Sequence, residues 1–480
     1  MTEIEVRPNA PIGATDRLID RSKWAHALDR ATHEGATYAE IRLMSETTTS
    51  VVMRDGQLER AVPGRQVAGT LRVLVDGAWG VHSSTDLRSL PDAVGSAMDL
   101  ARAVARRRPS GAGAIQLADV PVRTDSIHWV PERDVREADL EERLELMEAF
   151  DAAASDDERV VSVSTGWSDE HLHTELLTSE GMDRSWSFQR TLMHGMVTAR
   201  TDGDPASYRT RVGGEGGMER VREADVQGMG EQARIAALRI LDADRAPSGR
   251  MTLVSDPDLT GVYIHEALGH PCEADLVASG DSCLEGRLGT MVGSSLVSVV
   301  DDPTIRSGYG AYPIDDEGVA PRRKELITNG RLTEYLNHRE SAGHLGLDPN
   351  GGARAQDGLH HPLVRMSNTL LLGGTHTDLD ELVEDIDDGV YACGSRGGQV
   401  DTGRGSFQFA AQEAWLIEDG RLTTPLKDVS VSGLTLQILQ DVDGMTRDAD
   451  LASPGFCGKG QTVPVGDGGP TMRIRSALVG

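Results

Sequence analysis

The sequence predicts an α+β fold, with a curved antiparallel sheet and helices packed on one face, followed by a β-rich C-terminal domain that carries a histidine-bearing helix. Three observations predict it. The period of the apolar residues changes along the chain, from helical spacing in 16–34 to alternation in 39–44. Hairpin signals recur at Asp55-Gly56, Asp76-Gly77, Asn329-Gly330 and Asp419-Gly420. Aromatics are few while glycines number 54, which favours β-structure with tight turns. At 480 residues the chain is long for a single core, and Ala246-Pro-Ser-Gly249 marks the expected division into 1–245 and 246–480.

Taken in order, Asp16 to Glu34 reads as an amphipathic helix. Ala39 to Met44 alternates like a half-buried strand, and Ser50 to Arg54 turns at Asp55-Gly56 into Gln57 to Arg60. Val67 to Val75 and Ala78 to His82 make a second hairpin through Asp76-Gly77. Leu90 to Arg107 is a second helix, whose terminal arginines suit the negative end of its dipole. Pro109 to Pro131 reads as a connector of low order, and Glu137 to Ala154 as a third helix. Strands are expected at Val160 to Trp167, His171 to Thr178 and Ser185 to Arg200, then a flexible break at Gly213 to Gly217 and a helix from Val221 to Ala243. In the second half Met251 to Ser255 is a strand, and Leu259 to Leu268 a helix capped by Asp256 or Asp258. Strands follow at 296–300, 324–327, 363–372, 405–417 and 472–478, with short helices at 379–386 and 434–440.

The formal net charge of -28 repels phosphate backbones and anionic lipid, so neither a nucleic-acid nor a membrane partner is expected. Four cysteines make no disulfide framework at this length, and the first eight residues lack the basic and apolar regions of a signal peptide. The expected location is the cytoplasm, where thiols stay reduced.

The chemistry concentrates in His265-Glu-Ala-Leu-Gly-His270, followed by Pro271-Cys-Glu-Ala-Asp275. Two imidazoles can ligate a metal, and a carboxylate beside it can take a proton from bound water. A spacing of five separates side chains on an ideal helix by roughly 140°, so a regular helix cannot aim both rings at one ion. Gly269 loosens the last turn, and Pro271 biases His270 away from the α region, which lets the second ring swing back. A catalytic zinc needs a third protein donor. The residues leave it open between Cys457, flanked by Gly455 and Gly458 where the backbone can bend sharply toward another element, and the nearby pair Glu273 and Asp275. Lys459 stands close enough in sequence to favour a Cys457 thiolate. The glycine-rich segment Gly394 to Gly398 offers backbone groups to an extended peptide, or simply turns the chain. His338, His344, His360, His361 and His376 stand singly and read as surface or structural groups.

The motif at 265–275, Asp315-Asp-Glu-Gly318, Arg365-Met-Ser-Asn-Thr369, Gly397-Gly-Gln-Val-Asp401 and Pro454-Gly-Phe-Cys-Gly-Lys459, together with Val73 to Gly80, resemble the TldD/PmbA family of intracellular metalloproteases. The likeness covers nearly the whole chain and falls in the TldD branch, which keeps the metal motif. It implies zinc held by His265, His270 and Cys457, with Glu266 as the catalytic carboxylate activating a zinc-bound water. It also implies an enclosed site for unfolded or extended peptides, and pairing with a TldE/PmbA-type subunit or with a second copy. Two other readings stand beside this one. A non-catalytic peptide-binding subunit would keep the metal for structure, and a cysteine hydrolase would use Cys457 or Cys272 with a motif histidine. Neither has a use for Glu266.

Overall fold

The computed structural model describes Leu18 and residues 21–109 and 113–480. Residues 16, 17, 19 and 20 of the expected first helix lie outside the described residues; the helix itself, α1, runs Arg21–His33. Strand β1 (Tyr38–Arg54) absorbs two pieces that alternation marked separately. Strand β2 (Gln57–Val75) then merges both expected hairpins into one meander with β3 (Ala78–Ser84). The two turns form as their residues require, with Asp55, Gly56, Asp76 and Gly77 all at positive φ.

Helix α2 (Val94–Arg106) begins later than expected, because Leu87–Ser89 and Pro91–Ala93 form 3₁₀ turns. The connector region contains a strand the sequence did not signal, β4 (Thr124–His128), which carries no apolar alternation. Helix α3 (Leu140–Ala154) is closed by a capping box between Asp139 and Glu142. Strand β5 (Val160–Thr178) is continuous where two strands were expected. Next comes β6 (Asp183–Ala199), to which β4 pairs in parallel.

The expected flexible break overlaps the end of a further strand, β7 (Ala206–Glu215). A Cβ on Gly213 would lie 2.3 Å from the Thr191 carbonyl oxygen, and one on Gly214 2.3 Å from that of Ser307. These glycines serve close backbone approach, not flexibility.

The seven strands run β3-β2-β1-β5-β6-β4, with β7 also on β6. Alternation gives this sheet two distinct faces. Ile41, Leu43, Val51 and Met53 lie under the helices, the first pair among residues of α1 and α2, the second with Phe150 of α3 and Ala237 of the helix Val226–Asp242. Met44, Leu176 and Phe188 cover the other face together with Tyr312 and Ile314 of the second half. Buried ion pairs fasten that face. Arg42 donates to Asp316 (2.9 Å), while Arg72 joins Glu40 (2.7 Å) to Glu317 (3.1 Å). The Asp315–Gly318 segment is thus one place where the two halves lock; Arg239 to Glu413 and Arg339 to Glu180 are others.

In the second half, strands 388–401, 249–255, 472–479, 430–434 and 406–418 hydrogen-bond in a closed ring. A separate six-stranded sheet ends in Asn368–Leu371, Thr462–Gly469 and the edge strand Asp450–Gly458. Cys457 stands on that edge strand. Gly455 and Gly458 do not bend the chain there; the first positive φ after Cys457 is at Gly460.

Candidate metal centre

The motif helix starts at Asp256, whose carboxylate accepts from Leu259 N at 2.8 Å, with Pro257 in the first turn where no donor is missed. Its pitch then changes twice. Pro257–Tyr263 is α-helical, Ile264–Gly269 is a π-helical turn, and His270–Cys272 is 3₁₀. The amide of His270 donates to the carbonyl of His265, a five-residue hydrogen bond. This wider turn, of a kind that recurs at functional sites, brings positions i and i+5 onto one face. The rings approach edge to face, with centroids 5.4 Å apart.

The expected escape of His270 from helical geometry does not occur. Gly269 (φ -56, ψ -50) and His270 (φ -61, ψ -47) both stay in the α region. The π turn shifts the hydrogen-bond frame, so Pro271 falls in the first turn of the next element, where its missing N–H is tolerated. Gly269 contributes by close packing: a Cβ there would lie 1.9 Å from Met366 Sδ.

His265, His270 and Cys457 are all buried, and one donor atom from each lies within 4.8 Å of the others. Cys457 Sγ is 3.2 Å from His270 Nε2. Burial alone would raise the Cys457 thiol, but the two imidazoles outweigh it and draw it down to about 4. Burial alone would likewise depress His265, yet the Cys457 sulfur and Glu266 lift it to about 9. Two imidazoles and a sulfur that readily ionises suit a zinc-type ion with one open position. Nδ1 of His265, buried with no hydrogen-bond partner, is a further polar atom in want of a ligand or a proton acceptor. The donor set fits a metal.

Three models of the PmbA/TldA metallopeptidase domains match this chain: domain 1 over residues 39–105, the central domain over 133–242 and the C-terminal domain over 248–480. A metalloprotease of Methanothermobacter thermautotrophicus is 43% identical over 445 residues, 92% of this chain and 95% of its own. The chain belongs to the PmbA/TldD metallopeptidase family. A Saccharolobus solfataricus relative, named a zinc metalloprotease TldD homolog, is 35% identical over 48% of this chain and 52% of its own. TldE from Thermococcus kodakarensis shares the fold, with a TM-score of 0.74 at 17% identity, covering 95% of this chain and 99% of that one.

Around the PmbA/TldD motif the two residues weighed as alternative ligands take other positions. Glu273 Oε2 lies 2.9 Å from His270 Nδ1, and both oxygens of Asp275 accept from Lys459 Nζ at 2.7 Å. Neither joins the three-donor group. Burial pushes the Glu273 carboxyl up, but His270, Lys459 and Arg365 prevail and hold it below its usual range. Lys459 is engaged by Asp275, Glu273 (3.2 Å) and the Val364 carbonyl, so it is drawn into that acidic support. Arg365 does what the sequence left unassigned. It donates to the Cys457 carbonyl at 2.6 Å and to that of Gln461 at 2.7 Å. The family motif pointed to Arg365 as a position, but nothing local pointed to its partner 92 residues away.

Glu266 keeps 27% of its side chain exposed, and its Oε2 lies 3.8 Å from His270 Nε2. Cys272 is fully buried, and burial pushes its thiol well up, the opposite of an activated nucleophile. Amides of the glycine-rich segment are already taken, Gly394 by Asp256 and Ser395 by Asp258, each at 3.0 Å. Arg396 reaches the Gln412 carbonyl at 3.3 Å, while Arg404 is exposed beside Asp401. His338 caps the helix Arg339–Leu345, accepting from Ser341 N.

Proposed function

We propose that this chain is a zinc peptidase for unfolded or extended peptides, with His265, His270 and Cys457 as the ligands and Glu266 as its acid–base group. The observation that carries the reading is the convergence of three buried donors within 4.8 Å, with a partly exposed carboxylate beside them. A structural zinc is normally closed by four protein ligands and has no need of a free carboxylate. The name of the Saccharolobus relative supports zinc.

When bound, the ion supplies Lewis acidity, which polarises a carbonyl and makes water easier to deprotonate. Glu266 accepts the proton of the attacking water and then delivers it to the leaving amine nitrogen. Glu273 holds His270 through Nδ1, which directs Nε2 inward toward Cys457. Arg365 fixes the backbone of Cys457, so the sulfur is presented from a stationary strand. An anionic sulfur donates more charge than a third imidazole, which shifts the burden of water activation onto Glu266.

Among the described residues no helix is long and apolar enough to cross a membrane. A cytoplasmic location suits a site that needs a reduced Cys457. The fold shared with TldE supports pairing with a TldE-type chain, a second copy of this chain being the other arrangement.

The test combines metal analysis with peptide cleavage. About one zinc per chain is expected, and Glu266→Gln is expected to keep the metal while cleavage of an unfolded peptide is lost. Cleavage that survives complete chelation, or an unimpaired Glu266→Gln enzyme, overturns the reading; the first outcome would return the cysteine-hydrolase alternative.

A further inference from the structure

Asp467 has no role in the mechanism above. It is 6% exposed, and its Oδ1 is buried without a hydrogen-bond partner. It lies on the strand Thr462–Gly469, four residues beyond Val463, which pairs directly with Cys457. An even separation puts it on the sheet face that carries the Cys457 sulfur. Its carboxylate packs against the motif helix one turn before His265, since a Cβ on Gly261 would lie 2.8 Å from Oδ1. Burial pushes the Asp467 carboxyl up to about 7; among the charged groups facing it, Asp258 and Glu266 add to the rise while His265 and Arg211 oppose it.

Asp258 leads from this point into a cavity. It accepts from Ser395 N and lies 3.6 Å from Arg211. The cavity measures about 180 Å³ and is lined by Tyr208, Arg209, Arg211, Asp256, Asp258 and Ser395 among others. At ~30 Å³ each, that is room for about six waters, or for the end of one polar chain. Asp256 and Asp258 line this cavity with Arg209 and Arg211, two carboxylates to two guanidinium groups. Asp467 and Glu266 stand outside that lining on the motif-helix side, where Asp467 feels Asp258, Glu266, Arg211 and His265 and its Oδ1 is buried and unsatisfied. These carboxylates do not converge as metal ligands do: the one group of three donors within 4.8 Å among the described residues is His265, His270 and Cys457.

We propose that Asp467 and Asp258 form a subsite for an ammonium group of the peptide substrate, beside the reacting carbonyl. The inference rests on the peptidase reading and names the substrate class for that site. An ammonium brings three donors and one positive charge, which is what a buried carboxylate lacking a donor requires. The chain's net charge of -28 enriches cationic peptides around the molecule before they reach the cleft. Two sources carry this chemistry, the α-amino group of a peptide and the side chain of a lysine.

The experiment uses metal-loaded full chain and matched peptides of one sequence: free N-terminus, N-acetylated, and N-acetylated with lysine or norleucine placed at successive positions around the cleaved bond. An ammonium-bearing peptide is expected to exceed its neutral match in kcat/KM by about tenfold or more, as for a hydrogen bond to a charged group. A preference for the free N-terminus identifies the α-amino group, and a preference for lysine identifies the side chain. In Asp467→Asn with equal metal content the ratio is expected to fall toward one. Equal kcat/KM across all wild-type pairs overturns the subsite, as does a ratio unchanged in Asp467→Asn. Should that variant fail to fold, the same ratio is measured in Asp258→Asn, where it is expected to fall likewise; a ratio unchanged there overturns the proposal. Failure of the metal-loaded wild type to cleave any of the peptides would bring down the peptidase reading itself, a result distinct from cleavage without preference.

Discussion

The two imidazoles of the centre are held in contrasting ways. His270 donates through Nδ1 to Glu273, Glu273 is in turn held by Lys459, and Arg365 ties the Cys457 carbonyl to the same buried group. His265 has no such brace: its Nδ1 is buried without a partner, and Glu266 and Asp467 are among the charged groups that interact with its ring. One side of the site is therefore a fixed wall and the other a working face. A hydrolytic centre gains from this division, since ligand geometry must stay constant while substrate arrives and leaves. Changes on the wall should act first on metal retention, and changes on the working face on turnover.

The largest effect is expected from the wall's sulfur. Cys457→Ala leaves two imidazoles, too few for a catalytic zinc, so metal content should fall from about one per chain to near zero and cleavage with it. Metal analysis after gel filtration checks this; a variant that keeps stoichiometric zinc would place the ligand elsewhere. Next, on the working face, Glu266→Gln should lower kcat by about 10²–10⁴-fold, the usual contribution of a general acid–base group, with zinc retained. Glu273→Gln should then separate the two sides further. Loss of an outer-shell carboxylate typically weakens metal binding by about 10–100-fold, so competition with a chelator should reveal a weaker site, while kcat at saturating zinc changes less. Unchanged affinity in Glu273→Gln would remove the distinction between wall and face.

The wall was harder to foresee than its ligands. The hairpin turns at Asp55-Gly56 and Asp76-Gly77 were legible because φ must be positive at both residues and few residue types accept that. Both histidines were legible from their types, although their shared direction was not, since a five-residue hydrogen bond is chosen by the packing around a helix and leaves no period in its sequence. Cys457 stood out through family likeness, while Ser-Pro-Gly-Phe-Cys-Gly suggested a bend where the chain runs as an edge strand. Pairing with Thr462–Gly469 supplies the order that such residues lack on their own. Strand β7 was hidden for a similar reason: its glycines permit contact with Thr191 and Ser307, and contact at that distance cannot be read locally. Arg365 and Asp467 act across long separations, so only the folded chain shows what they face.

The smallest expected effect tests how the wall acquires its shape. Gly269 packs so closely on Met366 that an alanine Cβ would fall 1.9 Å from its sulfur, and Met366 adjoins Arg365, which holds Cys457. Alanine is intrinsically better than glycine inside a helix by roughly 0.5–1 kcal/mol, whereas overpacking a filled core costs about 1–3 kcal/mol. The second effect should win narrowly, because methionine is flexible and part of the clash can relax. Gly269→Ala should therefore lose about 1–2 kcal/mol in denaturant unfolding, with zinc affinity reduced less than in Glu273→Gln. Adding Met366→Ala should recover part of the affinity by making room for the new methyl group, although it opens a cavity of its own. If Gly269→Ala is instead more stable and binds zinc as well as the parent, the π turn does not depend on this contact, and the rigidity of the His270 side comes from Glu273 and Arg365 alone.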